Sequence, residues 1–358
     1  MRGGFLDESG VSPPPNNGFG APRLHAGAGL FLASGAVEGD VKAPGRMLWA
    51  MEQRRIGRTD LSVSQFGLGT APLAGMFEPV EEAVARATVQ AAIDGGMRFF
   101  DTAPWYGFGC AERRLGDALR SVDEPFVLST KVGRLLEPAQ HAPGDWPGWP
   151  AKLPFAPRAD YGYEAVHRSF EDSLQRLGLA RVDALFLHDI GRMTHGDDHS
   201  RHFRDAMDGG VRALLELRDA GKIGAIGIGV NEVEVLEEAL DCAQWDMFLL
   251  AGRYTLLEQE PALSRLFPAC ERAGTSIIIG GAFNSGLLAG GGTYNYAEAP
   301  KELLRRRDDL REACKRFGVA LEAAALQFPL AHPVVASVLI GCRSPEQVHA
   351  NLAHATQP

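Results

Sequence analysis

The stretch MRFFDTAPWYG, from Met97 to Gly107, decides the fold, because it joins a buried apolar run to polar residues at its C-terminal end. The stretches VLSTKVGR, Val127 to Arg134, and ALFLHD, Ala184 to Asp189, repeat this arrangement further along the chain. Runs of β-branched and aromatic residues bounded by turn residues are typical of buried strands. Parallel strands in one barrel place their C-terminal ends at one mouth, so we expect the polar groups of all three stretches to converge there.

Eight such runs alternate with helical patterns along the chain. We predict strands over Gln65 to Ala71, Met97 to Thr102, Phe126 to Lys131 and Val182 to His188, a fifth ending at Asn231, a sixth ending near Tyr254, and two more over Ser276 to Phe283 and Val335 to Cys342. Eight strand–helix units close an α/β (β/α)8 TIM barrel, which a short β-hairpin turned at Arg58 to Asp60 would precede. An open doubly wound sheet is the alternative, but no GxGxxG sequence opens a helix after the first strand.

Two segments between the predicted strands differ from ordinary connections. The segment Leu136 to Tyr161, rich in Pro, Trp and Gly, is too long for a simple turn and predicts a lid or a binding wall. The segment HGDDHSRH, His195 to His202, carries residue types that bind metals, but their spacing matches no standard site. We therefore predict a solvated loop there and no bound metal.

Composition excludes several classes of protein. The net charge of −9 argues against a nucleic-acid partner and against an anionic membrane surface. The cysteines are odd in number and widely spaced, without a CxxC pair, which indicates a reduced, cytoplasmic protein with neither disulfides nor structural zinc. No apolar run reaches the 18 residues typical of a membrane span.

The first fifty residues lack the periodicity of the rest of the chain. They are rich in Gly, Pro and Ala, and we predict a disordered N-terminal extension over 1–50 before a barrel domain over 51–358. A signal peptide around Gly27 to Val37 is the alternative, but glycines interrupt its apolar run and its basic start is weak.

Four residues near the predicted strand ends have the chemistry for proton transfer: Asp101, Tyr106, Lys131 and His188. A phenol has a pKa of about 10, which a nearby cation such as Lys131 would lower. Asp101 would fix Lys131, and His188 would orient a substrate oxygen, which suits a carbonyl or alcohol whose carbon exchanges a hydride. Each residue alone is as readily an ion pair, a cap or a packing residue. Their occurrence on three consecutive strands favours a functional site.

The motifs DTAPWYG, STKVG and LFLHD resemble signatures of the aldo-keto reductase superfamily, and the resemblance extends from about Arg54 to Asn351. It implies that Asp101, Tyr106, Lys131 and His188 form the catalytic tetrad of that family. More narrowly, GLGTAPLAGMF, GVNE, LLAGRYTLLEQ and GGAFNSGLLAGG resemble the branch of D-threo-aldose 1-dehydrogenases, which includes L-fucose and galactose dehydrogenases and lies near pyridoxal 4-dehydrogenase.

The resemblance also implies a cofactor, NADP or NAD, bound across the mouth without a Rossmann fold. Tyr254 would stack on the nicotinamide ring, Asn231 would hold its carboxamide, and Arg343 would pair with the 2′-phosphate of NADP. The other implied cofactor residues are Ser285, Gly286 and Leu287 at the pyrophosphate, and Ser344, Gln347 and Asn351 at the adenosine end. Arg343 has an alternative interpretation as a surface residue at a helix start. Ala251 occupies the position of the glutamine with which many family members hold the carboxamide.

By resemblance, the chain would oxidise the anomeric hydroxyl of an aldose to a lactone, with Tyr106 as general base and Trp105 as an apolar wall for the sugar ring. A general aldehyde or pyridoxal reductase and a cofactor-bound regulatory barrel without turnover are the alternatives. The chain ends at Pro358, before the further helix and tail that the family implies, so a truncated, inactive fragment is a third. We expect a small sugar or aldehyde substrate and a monomer or small homo-oligomer.

Overall fold

Eight short apolar stretches form the parallel strands of a closed barrel in the computed structural model, which describes residues 51–139, 149 and 153–357. In chain order they are β1 Phe66–Gly69, β2 Phe99–Asp101, β3 Val127–Val132, β4 Ala184–His188, β5 Ala225–Val230, β6 Met247–Ala251, β7 Ser276–Gly280 and β8 Val335–Gly341. Each strand pairs with the next along the chain, and β8 pairs with β1. The predicted (β/α)8 barrel is confirmed.

The helices surround this barrel in the order that the sequence pattern predicts. The helices of seven residues or more are Glu82–Asp94, Cys110–Leu119, Tyr163–Leu177, His199–Asp205, Val211–Asp219, Val233–Leu240, Phe267–Ala273, Lys301–Arg316, Leu321–Gln327 and Pro345–Ala355. Gly116 lets Cys110–Leu119 approach Tyr163–Leu177 closely, since an added Cβ would lie 1.8 Å from the carbonyl oxygen of Leu177. In the described part of the chain, every helix is too short or too polar to cross a bilayer.

The barrel interior is a packed apolar core that is closed at its N-terminal end. Phe99, Phe186 and Ile278 point into it from three strands, and all three are fully buried. Ile56 and Val63 join the same cluster from the predicted hairpin, in which Gln53–Arg55 pairs with Ser62–Ser64. Burying one such side chain stabilises the fold by about 1.5–3 kcal/mol. Because this end of the interior is filled by apolar side chains, the polar groups lie at the opposite end of the barrel, at the C-terminal ends of the strands.

Two further hairpins lie beyond strand ends. Part of the long segment predicted as a lid forms a hairpin after β3, in which Arg134–Pro138 pairs with Phe155–Ala159. A second one after β7, Thr293–Tyr294 with Ala297–Glu298, was not predicted. Its tip is tied to the end of β6, because Arg253 donates to the side chain of Asn295 and to the carbonyl oxygen of Gly252.

The structure corrects the prediction for the histidine-rich segment. His195 to His202 lies in short helical turns, and His199 and His202 are buried rather than solvated. His202 packs on the ring of Tyr161, while His199 packs on Phe203 and pairs through Nδ1 with the carbonyl oxygen of Ile190. Among the described residues, no cluster of histidine, cysteine and acidic side chains is arranged to hold a metal ion. The extension predicted over 1–50 lies outside the described residues.

Candidate active site

The centre of the candidate site is a buried ion pair between β2 and β3. Lys131 Nζ lies 2.5 Å from Asp101 Oδ2, and both side chains are almost completely buried. Ser129 Oγ donates to the other oxygen of Asp101 at 2.7 Å, and Lys131 Nζ also donates to the carbonyl oxygen of Thr102 at 2.8 Å. The ammonium is thus held in one position by a carboxylate and a carbonyl, as the sequence predicts for Asp101 and Lys131.

Tyr106 reaches this pair through a tight turn after β2. Phe108 and the two glycines beside it, Gly107 and Gly109, all adopt left-handed backbone conformations, which glycine accepts at little cost. The backbone N–H of Ala111 donates to the carbonyl oxygen of Tyr106 and fixes the turn against the following helix. The result places Lys131 Nζ 5.0 Å from the centre of the Tyr106 ring.

His188 is the last residue of β4 and faces the same tyrosine. The His188 ring lies 5.9 Å from the Tyr106 ring at an interplanar angle of 90°. Behind it, the hydroxyl of Tyr161 donates to the backbone carbonyl oxygen of His188 at 2.7 Å. The structure therefore brings the four predicted catalytic residues together at the C-terminal mouth of the barrel.

Burial controls the ionisation of these groups. Desolvation, and then the Lys131 and Arg134 cations, lower the pKa of His188 well below its usual value, so its imidazole is neutral near pH 7. Desolvation and the Asp101 carboxylate raise the pKa of Tyr106 well above its usual value. The expected lowering of the pKa of Tyr106 by Lys131 is therefore absent from this structure, because Asp101 largely neutralises the ammonium.

Trp105 and Trp149 supply the aromatic wall of the mouth. Trp149 stacks on Tyr106 with ring centres 6.0 Å apart, and Trp105 lies beneath the guanidinium of Arg134 at 4.2 Å. Trp105 was predicted from the sequence to contact the substrate, whereas Trp149 and Arg134 were not. Arg134 follows the STKVG motif directly, which is the only signal that could have drawn attention to it.

Of the residues implied for the cofactor, Asn231 lies just beyond β5, and its side-chain N–H donates to the carbonyl oxygen of Ala251 at 3.1 Å. Ser285 Oγ accepts from the backbone N–H of Tyr296, so it holds the hairpin after β7. The N–H groups of Gly286 and Leu287 already donate within their own turn. Pyrophosphate binding by these three residues remains a prediction.

The residues implied for the adenosine end gather at the start of the helix Pro345–Ala355. Ser344, the N-cap residue, accepts from the backbone N–H of Gln347, while Gln347 Oε1 accepts from the backbone N–H of Arg343, the residue before the cap. The Arg343 guanidinium forms an ion pair with Glu78, and Asn351 donates to the sulfur of Cys342. A capped helix N-terminus with an arginine beside it is a suitable site for a phosphate.

Tyr254 does not lie where the stacking role requires it. Its side chain is only 4% exposed, and its ring packs on Phe267 and Phe328 in the layer between the barrel and the helices. The cause is the end of β6 at Ala251, three residues before the predicted end. The turn beyond Ala251 directs the Tyr254 ring into the core, so we withdraw the nicotinamide contact for this residue.

Comparison with known proteins agrees with this geometry. The sequence profile of the Aldo/keto reductase family matches residues 65–357. Pyridoxal 4-dehydrogenase of Microbacterium luteolum is 47% identical to the chain over 319 residues, which cover 85% of the chain and 93% of that protein. D-threo-aldose 1-dehydrogenase of a Pseudomonas species is 36% identical over 315 residues, covering 82% of the chain and 90% of that protein.

The fold also matches solved structures. The holo form of aldo-keto reductase AKR11C1 from Bacillus halodurans superposes with a TM-score of 0.67 at 28% sequence identity. The match covers 86% of the chain and 92% of that structure.

Proposed function

The chain belongs to the aldo/keto reductase family and is an NAD(P)-dependent oxidoreductase, and on this premise we propose that it oxidises a small cyclic hemiacetal to a lactone. Pyridoxal and aldoses share the relevant chemistry, because both are aldehydes with a hydroxyl group that can close on the carbonyl carbon. The relatives named for pyridoxal and for D-threo-aldoses support this substrate class. Pyridoxal is the first member to test, since the relative at 47% identity carries its name.

The observation that carries the proposal is the buried Asp101–Lys131 pair beneath Tyr106, with a neutral His188 at the edge of the tyrosine ring. The phenolate form of Tyr106 accepts the hydroxyl proton of the hemiacetal and becomes the neutral phenol. The neutral imidazole of His188 hydrogen-bonds the same substrate oxygen without changing its own charge. The Lys131 ammonium, 5.0 Å from the centre of the Tyr106 ring, favours the phenolate before the proton is taken up, and Asp101 positions Lys131.

The residues present fit the cofactor of this family. At Gly252, at the end of β6, an added Cβ would meet nothing within 4 Å, so open space lies beside the mouth there. Nearby, Asn284 Oδ1 is buried without a hydrogen-bond partner among the described residues, which leaves an acceptor for a ligand amide. Asn231 would hold the nicotinamide carboxamide, and Arg343 the adenosine end. Bound NAD(P)+ would supply the hydride acceptor.

The test is oxidation of pyridoxal, L-fucose and L-galactose by the purified protein with NAD+ and with NADP+. We expect nicotinamide reduction with at least one of them and a product two hydrogen atoms lighter than the substrate, as a lactone requires. Reduction of plain aldehydes with no oxidation of any hemiacetal would instead favour a general aldehyde reductase. Cofactor binding without any turnover on the panel would favour a regulatory barrel.

A further inference from the structure

A second ion pair lies in the wall of the mouth and has no part in the proton transfer described above. Arg134 Nη2 lies 2.9 Å from Asp189 Oδ2, although 55 residues separate the two in the sequence. Arg134 begins the hairpin after β3, and Asp189 directly follows β4. The pair therefore joins the two neighbouring loops that flank His188.

The carboxylate of this pair lies close to the reacting groups. Asp189 Oδ2 is 3.3 Å from His188 Nε2, and the His188 ring faces Tyr106. Asp189 is not a glycine, yet its φ of 52° is left-handed, a conformation that is unfavourable for most residues with a Cβ. The chain thus accepts local strain where it directs this carboxylate toward the site.

The arginine of the pair has hydrogen-bonding capacity in reserve. Its side chain is 9% exposed, and its guanidinium carbon lies 4.2 Å from the centre of the Trp105 ring, so packing restricts the movement of the group. Among the described residues, Nε of Arg134 is buried and has no hydrogen-bond partner. Buried guanidinium donors are normally satisfied, so an open one beside a candidate active site points to a ligand oxygen.

We propose that Arg134 and Asp189 recognise a hydroxyl group carried one or two carbons from the reacting carbon of the substrate. Arg134 donates an N–H to the oxygen of that hydroxyl, and the carboxylate of Asp189 accepts a hydrogen bond from its O–H. This inference rests on the proposed function, and it explains how one site suits both an aldose and pyridoxal. An aldose carries a hydroxyl on the carbon next to its carbonyl, and pyridoxal carries one on the ring carbon beyond.

The test compares two aldehydes that differ by this one hydroxyl group, 2-hydroxybenzaldehyde and benzaldehyde, in their reduction by NADH and NADPH. A hydrogen bond to a charged group favours its ligand about tenfold or more. We expect the wild-type protein to show that preference in kcat/KM for 2-hydroxybenzaldehyde. In Arg134→Met we expect the preference, which is the ratio of the two kcat/KM values, to fall to about onefold, mainly through a higher KM for 2-hydroxybenzaldehyde.

Arg158→Met is the matched control, because Arg158 lies on the same hairpin but is exposed and pairs with Glu137 and Asp160. It should keep the wild-type preference. Asp189→Asn preserves the shape of its side chain and provides a second variant if Arg134→Met does not fold, with the same loss of preference expected. The inference would be overturned if kcat/KM fell equally for both aldehydes in a folded variant, or if the preference for 2-hydroxybenzaldehyde stayed unchanged.

The inference and the proposed function fail in different ways. A wild-type protein that oxidises pyridoxal or an aldose but reduces the two benzaldehydes equally well refutes the role of the pair alone. A protein that prefers 2-hydroxybenzaldehyde but oxidises no hemiacetal supports the pair and refutes the proposed reaction.

Discussion

The substitution Asp101→Asn separates the structural from the chemical role of the buried ion pair. It would leave the Lys131 ammonium buried, with the carbonyl oxygen of Thr102 as its remaining fixed partner in the wild-type geometry. Removing one partner of a buried pair costs about 3–5 kcal/mol, because the other charge stays without compensation. We expect a loss of that size in the free energy of unfolding, measured by urea denaturation followed by circular dichroism, together with a large loss in kcat.

The double variant Asp101→Asn/Lys131→Met removes both charges. We expect it to regain most of the lost stability, since replacing a whole buried pair by uncharged side chains is close to neutral, while its kcat stays low. Glu112→Gln is the control, because Glu112 is fully buried and paired with Arg176 in the outer layer. It should lose stability but keep turnover. The prediction fails if the free energy of unfolding of Asp101→Asn lies within about 1 kcal/mol of the wild-type value, which is what a surface ion pair contributes. It also fails if the double variant is no more stable than Asp101→Asn.

Three further predictions follow from the site and its surroundings. Because the pKa of Tyr106 is raised and that of His188 is lowered, the proton-accepting form of Tyr106 increases about tenfold per pH unit below its pKa. We therefore expect kcat/KM for oxidation to rise steadily from about pH 7 to 10, without a separate inflection from the titration of His188. A bell-shaped pH profile with its maximum near neutral pH would contradict this. Gly133→Ala would place a Cβ 2.2 Å from the Tyr161 ring, whereas Gly221, the control position, also has a positive φ but has open space around it. We expect Gly133→Ala to lower the free energy of unfolding in urea by about 2–3 kcal/mol more than Gly221→Ala does. Equal losses in the two variants would disprove the packing argument. Arg343→Gln should raise KM for NADP+ about tenfold and leave KM for NAD+ nearly unchanged, whereas parallel changes would exclude a 2′-phosphate contact.

The barrel and the convergence of the four candidate residues at its mouth were predictable because both depend on local patterns. Strand ends are marked by the change from apolar runs to polar residues, and parallel strands align their ends at one mouth. Asp101, Lys131 and His188 lie at or beside such ends, so the fold alone brings them together. The N-terminal hairpin was equally local, since its two strands are separated by a short turn.

The errors arose where distant packing decides the outcome. Tyr254 lies three residues beyond β6, and rings from two later helical segments draw it into the core. His195 and His202 pack against Tyr161, more than thirty residues earlier in the chain. The pairing of Arg134 with Asp189 was missed for the same reason, because no local pattern reports a contact across 55 residues.

The central claim is that the phenolic oxygen of Tyr106 moves the proton, and Tyr106→Phe tests it most directly. The measurement is kcat for the hemiacetal that the wild-type protein oxidises, beside cofactor affinity from quenching of tryptophan fluorescence. The account predicts a loss in kcat of about 100- to 10,000-fold, the usual contribution of a general base, with cofactor affinity unchanged. A variant that keeps kcat within about tenfold of wild type, below that range, would contradict the account.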